Sequence, residues 1–191
     1  MASEDFKFGV TIEKYTGNDE IVEIPAEING VPVTRIGDAA FEDCKSVKEV
    51  YLPNSIKEIG GHAFAMCSNL EKMNIPDSVK KINTGAFGLC VKLKEMELPD
   101  SVNQIGAEAF FYCAQLTKIT IPDSVEIIEN QAFNYCLSLR ELHIPDSVIY
   151  INKTAFDYNK DLERVYINID KWQKDKLKEI FGSYVKILPL E

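Results

Sequence analysis

The sequence has 191 residues, a net charge of −9 and 46% hydrophobic residues, which is enough apolar material for a substantial core. The acidic balance argues against non-specific binding to nucleic acid or to anionic lipid, since both need fields of Lys and Arg. No window of 18 or more apolar residues occurs, so the sequence predicts no membrane-spanning helix and no insertion into a membrane.

A strictly periodic repeat organises the chain. Its marker is the dipeptide Ala-Phe, which recurs every 23 positions without a slip, at Ala40-Phe41, Ala63-Phe64, Ala86-Phe87, Ala109-Phe110, Ala132-Phe133 and Ala155-Phe156. A fixed period of about 20 to 50 residues is the signature of a solenoid, in which each repeat buries its core only against its neighbours. The sequence therefore predicts a single elongated repeat domain over residues 1–191.

Residues 1–19 are predicted to form an N-terminal β cap. Within them, residues 6–15 are rich in β-forming side chains and indicate a strand or hairpin, followed by a turn. Repeats then occupy residues 20–168. The first coil carries five extra residues around Asn29 and Gly30, which we expect to form a loop insertion in an atypical terminal coil.

Each regular coil follows one template. A strand of pattern Leu-x-x-Ile-x-Ile ends at a proline, which cannot donate a hydrogen bond to a sheet. A turn pair, Asp-Ser or Asn-Ser, leads into a second short strand of pattern Val-x-x-Ile. The Ala-Phe-x-x-Cys stretch that follows is expected to form one helical or 3₁₀ turn, because a coil of this length has no room for a longer helix. Alternation along the strand and the recurring Phe predict stacked apolar columns in the core.

Residues 169–191 depart from the template and are predicted to form a helix followed by a final strand. Residues 170–181 are rich in helix formers, with Asp170 as the expected cap and Gly182 as the stop signal. Trp172 is among the apolar residues that we expect to cover the open end of the last coil.

The final strand is predicted from the same period, because three of its apolar residues fall one full period after counterparts in the preceding coil. The pairs are Leu162 with Val185, Val165 with Leu188, and Ile167 with Leu190. A further repeat strand is therefore expected to close the sheet.

Five cysteines occur once per coil, at Cys44, Cys67, Cys90, Cys113 and Cys136. One cysteine per repeat is not a disulfide framework, and stacked side chains that point in parallel have poor geometry for a bridge. We expect all five to be reduced, buried core residues. A zinc site is disfavoured, because successive cysteines lie a full period apart and only His62 and His143 could complete it.

An acidic column follows the prolines and raises the alternative of a calcium ladder. Its members are Asn54, Asp77, Asp100, Asp123 and Asp146. We favour a structural role instead, in which each side chain bonds backbone amides of its own turn. The sequence therefore predicts no metal and no cofactor.

The combined motif, from the strand through Pro-Asp-Ser to Ala-Phe-x-x-Cys, closely resembles the BspA-like, or Treponema-type, leucine-rich repeats. The resemblance covers residues 20–168 in near-perfect register, and the strand pattern reaches residue 190. It implies a right-handed, curved solenoid with a parallel sheet on the concave face, and with short second strands and turns on the convex side. Family members are mostly bacterial or protist surface proteins linked to cell adhesion and to binding host proteins.

The location of the protein stays open between two alternatives. The family resemblance implies the cell surface or secretion. The first residues of the chain do not form the basic segment and apolar run of a signal peptide, so we also consider a protein that stays in the cytoplasm, or one whose signal was removed.

The outward positions of the strands offer two candidate binding surfaces. In two columns the charge alternates from coil to coil, and we expect the opposite charges on adjacent strands to pair. The first of these columns is Glu49, Lys72, Glu95, Lys118, Glu141 and Arg164. The next column mixes aromatic and polar groups, as partner-binding surfaces do, although a solvated face with incidental aromatics is the alternative. This front column is Tyr51, Asn74, Glu97, Thr120, His143 and Tyr166.

The second candidate is an apolar patch formed by Ile127, Ile149 and Tyr150 on the other side of the coil. A further outward column beside the cysteines contains Met66, Leu89, Tyr112, Tyr135 and Tyr158. No nucleotide-binding, nucleophile or zinc-protease motif occurs, so we do not expect an enzyme. The sequence favours a non-enzymatic protein-interaction scaffold of the surface or secreted adhesin type, with an intracellular interaction or assembly module as the alternative.

Overall fold

The sequence period appears in the computed structural model, which describes residues 9–190, as a stack of coils carrying two series of parallel strands. In chain order the elements are β1 (Val10–Ile12), β2 (Ile21–Glu23), β3 (Glu27–Ile28), β4 (Val31–Ile36), β5 (Glu49–Tyr51), β6 (Glu58–Ile59), β7 (Lys72–Met73), β8 (Lys81–Ile82), β9 (Glu95–Glu97), β10 (Gln104–Ile105), β11 (Lys118–Thr120), β12 (Ile127–Ile128), β13 (Glu141–His143), β14 (Tyr150–Ile151), β15 (Arg164–Tyr166), α1 (Lys174–Phe181) and β16 (Lys186–Leu188). The leucine-rich repeat solenoid predicted from the sequence is confirmed.

The two strand series lie on opposite sides of the core. The front series contains β2, β5, β7, β9, β11, β13, β15 and β16, and the back series contains β4, β6, β8, β10, β12 and β14. Pairs in register, such as Val50 with Met73 and Ile105 with Ile128, place equivalent residues of successive coils side by side. Alternation along each short strand therefore converts the sequence period into columns of inward and outward side chains.

The N-terminal end is closed by β1, which pairs parallel to β4 of the back series. Residues 6–8 of the predicted first strand lie outside the described residues. The five-residue insertion is more ordered than a loop: β3 and β4 pair antiparallel as a hairpin. Its turn, Asn29-Gly30, has φ of 53° and 75°, the left-handed geometry that a two-residue hairpin requires and that Asn and Gly tolerate best.

A column of stacked aromatic rings runs through the core. Successive ring centroids lie 4.9 to 5.7 Å apart along Tyr15, Phe41, Phe64, Phe87, Phe110, Phe133, Phe156 and Phe181. The six phenylalanines were predicted from the repeat, but Tyr15 and Phe181 were not. These two rings come from the N-terminal segment and from α1, so both ends of the column are closed by residues outside the Ala-Phe pattern.

The Ala-Phe stretch closes i to i+3 hydrogen bonds, such as Cys67 N to Phe64 O at 3.2 Å, but as consecutive β-turns rather than as the expected helical or 3₁₀ turn. His62 and Met66, each the third residue of such a turn, have φ of 54° and 62°, which neither a 3₁₀ turn nor an α-helical turn contains. The alternate amides point along the solenoid instead. Phe64 N, for example, donates to Ala86 O of the next coil at 2.9 Å. The turns thus tie neighbouring coils together as a sheet does.

The cysteine column is reduced, as expected, but the prediction that all five thiols are buried is wrong for Cys44, which is partly exposed. Cys44 belongs to the first of the Cys-bearing coils, and its Sγ lies 3.9 Å from Glu42 O, a carbonyl of its own turn. Each later thiol donates to the carbonyl of a Phe in the preceding coil, as Cys113 Sγ does to Phe87 O at 3.2 Å. Burial raises the pKa of Cys67 and of Cys136 to about 12.

The C-terminal helix is shorter than predicted. It begins at Lys174 rather than at 170, with Gln173 in the cap position and no side-chain cap hydrogen bond. Asp170 does not cap it, because Asn168 Oδ1 holds a separate turn by accepting from Asp170 N at 3.1 Å. The helix ends as expected at Gly182. Its buried residues Leu177, Ile180 and Phe181 face the last coil. No helix within residues 9–190 is long and apolar enough to cross a membrane.

The predicted register of the final strand is wrong by one residue. Val165 pairs with Ile187, and Tyr166 pairs with Leu188, so the offset between β15 and β16 is one position shorter than the period. A one-residue shift sends each side chain to the opposite face of a sheet. Ile187 therefore takes the inward position that was expected for Leu188, and Leu188 follows Tyr166 on the outer face.

Removing a ring from the middle of the aromatic column is expected to be costly. Phe110 is fully buried between Phe87 and Phe133, so Phe110→Ala should lower the free energy of unfolding by roughly 3–5 kcal/mol. Urea denaturation followed by circular dichroism measures it. The matched control is Phe111→Ala, because Phe111 is half-buried and should cost only about 1 kcal/mol. Equal losses for the two variants would contradict a core role for the column.

Thiol reactivity should follow burial. In native protein we expect Cys44 alone to react with a thiol reagent and all five cysteines to react in denaturant.

The buried thiols should also make stability depend on pH. The unfolded thiol has a pKa of about 8.5, so above that pH the unfolded state loses a proton that the folded Cys136 keeps until about pH 12. Stability should therefore fall between these values by about 1.4 kcal/mol per pH unit from this residue. In the Cys136→Ala variant the free energy of unfolding should fall less steeply with pH. An identical slope would show that burial does not keep Cys136 protonated in the folded state.

Candidate functional site

The alternating charge columns pair only in part. In the first column, Arg164 Nη2 lies 2.8 Å from Glu141 Oε2. The second column consists of Lys48, Glu71, Lys94, Thr117, Arg140 and Glu163. Its Lys48 Nζ lies 2.7 Å from Glu20 Oε1 in the preceding coil. Lys72 instead places its Nζ 5.6 Å from the ring centroid of Tyr51. All these groups are exposed enough for solvent to screen them, so each pair contributes less than about 1 kcal/mol. They help to fix the strand register and leave the neighbouring front column free to differ between coils.

The front column lies on the outer face of the front series, as the sequence predicted. Parallel pairing places Glu97 beside Thr120 and His143 beside Tyr166. Asn74, Glu97, Thr120 and His143 are exposed, and Tyr51 and Tyr166 are half-buried. Leu188 continues this column because of the register shift in β16, and sequence reasoning missed it.

The N-terminal half of the column is engaged within the fold. Asn74 spans to the preceding coil, where its Oδ1 accepts from Leu52 N at 2.8 Å and its Nδ2 donates to Leu52 O at 2.9 Å. The hydroxyl of Tyr51 donates to Glu49. Asn74 therefore joins neighbouring coils, whereas the Tyr51 hydroxyl bonds within its own strand, and both side chains have few groups left for a partner.

The C-terminal half is open and aromatic. The rings of His143 and Tyr166 stack with centroids 4.4 Å apart and an interplanar angle of 14°. His143 Nε2 lies 3.2 Å from Glu141 Oε1, which orients the imidazole. A cleft of about 340 Å³ opens between β11 and β13, lined by Thr120, His143 and Glu141 among others. Thr120 and His143 therefore line one cleft, and Tyr166 stacks on His143. We refer to Thr120, His143 and Tyr166 as the front patch.

The apolar patch is also present as an outward surface on the back series. Ile127 pairs with Tyr150, and the exposed fractions are 64% for Ile149 and 47% for Tyr150. The patch is not purely apolar, because Asn152 Nδ2 donates to the Tyr150 hydroxyl at 3.2 Å. A pocket of about 390 Å³ beside it is lined by Ile127 and Tyr150 together with the polar side chains Gln104, Glu129, Asn130 and Asn152.

The tyrosine column at the turns is a stacked aromatic row. Tyr135 and Tyr158 lie parallel with centroids 4.5 Å apart, Tyr112 lies 5.7 Å from Tyr135, and Phe111 meets Tyr135 edge-on at 6.1 Å. Each tyrosine has φ between 54° and 61°, a left-handed geometry that costs a non-glycine residue free energy. The contact of Phe111 was missed. The Phe110-Phe111 pair was its only sequence signal, since the turn geometry that brings Phe111 to Tyr135 is not encoded in the period.

The acidic column does not play the role that we favoured. The turns after the prolines are held by backbone bonds, such as Val102 N to Pro99 O at 3.0 Å. Several of the serines that follow the acidic residues bond the preceding coil, although the Ser147 hydroxyl has no hydrogen-bond partner. Ser101 Oγ donates to Val79 O, and Ser124 Oγ to Val102 O, each at 2.6 Å in the preceding coil. Asp100 and Asp123 are exposed. Within residues 9–190, no group of three or more His, Cys, Asp or Glu could hold a metal ion.

Comparison with known proteins identifies the repeat. The family described as BspA type leucine-rich repeat region matches residues 15–138 in six copies, about two thirds of the chain. No curated protein matches the sequence.

Solved structures of bacterial leucine-rich repeat proteins have the same fold. A leucine-rich repeat protein of T. pallidum is 25% identical, with a TM-score of 0.59 over 98% of this chain and 78% of its own. A leucine-rich cell surface protein of Faecalibacterium prausnitzii is 31% identical, with a TM-score of 0.69 over 86% of this chain and 54% of its own. The pneumococcal vaccine antigen PcpA, 23% identical with a TM-score of 0.74, shares the fold over 97% of this chain and 45% of its own. The chain thus spans about half the length of the last two.

The two halves of the front column should respond differently to mutation. Asn74→Ala removes two hydrogen bonds to the backbone of Leu52 and should lower the free energy of unfolding by about 1–3 kcal/mol. Thr120→Ala is the matched control in the same column and should change stability by less than about 0.5 kcal/mol, because its side chain is exposed. Chemical denaturation of both variants measures the difference. An unchanged Asn74→Ala variant would show that the bridge to Leu52 does not stabilise the sheet.

Proposed function

Because the chain belongs to the BspA-type leucine-rich repeat family, we propose that it is a non-enzymatic scaffold that binds a protein partner. Repeats of this kind bury their invariant positions in a common core and vary the outward ones, which suits recognition of an extended surface. The proposal assigns binding to the front face.

The front patch is the observation that carries this proposal. Tyr166 and His143 stack at 4.4 Å, which gives a rigid aromatic platform, and Thr120 stands beside the adjoining cleft. Rigid aromatic side chains with nearby polar groups are typical hot spots of protein interfaces. Arg164 and Glu141 flank the platform as an ion pair and supply the polar rim that such interfaces have.

We further propose that the scaffold acts at a bacterial cell surface or after secretion, in cell adhesion. The support is the 31% identity to a protein described as a leucine-rich cell surface protein. The match covers 54% of that protein's length, so a role of the whole protein is carried over to this chain only as a proposal. An adhesin-type partner would be a protein exposed on another cell or in its matrix.

An intracellular interaction or assembly module is the second candidate. The specific observation in its favour is the cysteine column, five free thiols of which four are buried. Oxidising compartments convert suitably placed thiols to disulfides, whereas the cytosol keeps them reduced. The partner would then be another protein of the same cytoplasm, bound through the same front patch.

The experiment is a binding screen of the labelled protein against purified extracellular host proteins and, in parallel, against cytosolic extracts. For any partner found, His143→Ala combined with Tyr166→Ala should weaken binding at least tenfold. The matched control is Ile149→Ser with Tyr150→Ser, a pair of changes at exposed residues on the back series.

Three results decide between the alternatives. Binding to extracellular proteins alone supports the surface role, and binding to cytosolic proteins alone supports the assembly module. Loss of binding in the control pair but not in the front-patch pair would move the site to the apolar patch and contradict the assignment.

A further inference from the structure

A cavity of about 430 Å³ lies at the C-terminal end of the solenoid, between α1 and β16. Its walls include Trp172, Leu177, Val185 and Ile187. Leu177 and Val185 are buried, with exposed fractions of 3% and 7%, whereas Trp172 and Ile187 are half-buried against the open space. The volume and the apolar lining are those of small-molecule sites in proteins.

The charged side chains of the lining are both cationic. Lys174 and Lys178 both line the cavity, and because they are four residues apart on α1 they lie on one face of the helix. No acidic side chain of residues 9–190 lines it. Asp175 Oδ1 lies 3.8 Å from Lys178 Nζ, but its side chain is 99% exposed, which leaves that ion pair screened by water. A protein of net charge −9 therefore presents two cations at an apolar cavity.

We propose that this cavity binds a small amphipathic anion, with its apolar tail between Trp172 and Ile187 and its anionic head between Lys174 and Lys178. The tail removes half-buried apolar surface from water, and the paired ammonium groups complement the head. The site is separate from the front patch, so it can be tested whether or not the scaffold function is correct.

Trp172 makes the site directly observable, because it is the only tryptophan in the sequence. Titration with sodium dodecanoate below its micelle concentration should give a saturable change in tryptophan fluorescence with one site per chain. Each buried methylene contributes a factor of about four in affinity, so dodecanoate should bind at least tenfold more tightly than octanoate. Dodecyltrimethylammonium, with the same tail and a cationic head, should bind at least tenfold more weakly than dodecanoate.

The variant Lys174→Glu with Lys178→Glu should weaken dodecanoate binding at least tenfold and improve binding of the cationic amphiphile. Both lysines are exposed, so the fold should persist. The matched control is Lys176→Glu with Lys92→Glu, which makes the same charge change at exposed lysines outside the cavity lining and should leave binding within about twofold.

Three results would overturn the proposal. The first is equal binding of the anionic and cationic amphiphiles, or no effect of the Lys174 and Lys178 changes. The second is a fluorescence change that follows protein concentration and self-association, which would show that a second copy covers the cavity. The third is a response to phosphatidylglycerol vesicles without a response to free dodecanoate, which would show contact with a lipid surface instead of binding of a single molecule.

Discussion

The stacked aromatic column is the interaction on which the rest of the structure depends. A single coil is too short to enclose a core of its own, so its Phe is buried only when a ring of the next coil covers it. Such stacking adds about 0.5–1.5 kcal/mol per pair beyond the burial of area. The column must also be closed at both ends. Tyr15 and Phe181 do this from segments outside the repeat pattern, which explains why those segments abandon the template.

The same constraint fixes the strand register, and the register determines which side chains face outward and can bind a partner. The core rings and the inward strand residues must be aligned from coil to coil. Each outward column is therefore a fixed set of positions, and its side chains can change without disturbing the core. Charge alternation fills some rows with mutually compatible groups. The positions of the front column differ in role. Asn74 bridges two neighbouring coils, whereas His143 and Tyr166 form an open aromatic platform. Sequence variation at the outward positions therefore gives different parts of the surface different roles, while the core pattern stays the same.

The period made most of the fold predictable, because every column could be read from residues one period apart. Prediction failed where the period no longer applied. The helix α1 replaces a coil with a segment of different length, so β16 pairs one position short of the period and Leu188 moved to the outer face. Cys44 lies where the stack of coils begins, and the repeat gives no information about its exposure. The contacts of Asn74 and the cavity beside Trp172 depend on side-chain reach and helix placement, which spacing does not specify.

Hydrogen exchange resolved along the chain tests most directly whether the aromatic column unites the coils. The amides of Phe87 and Phe110 each donate to an Ala carbonyl of the next coil at 2.8 Å, beside the buried rings. If the column is the common core, these central amides should exchange only through global unfolding, with protection that declines toward Phe41 and Phe156. Rapid exchange of the Phe87 and Phe110 amides while the front strands stay protected would contradict the account, because the sheet would then be stable without the column.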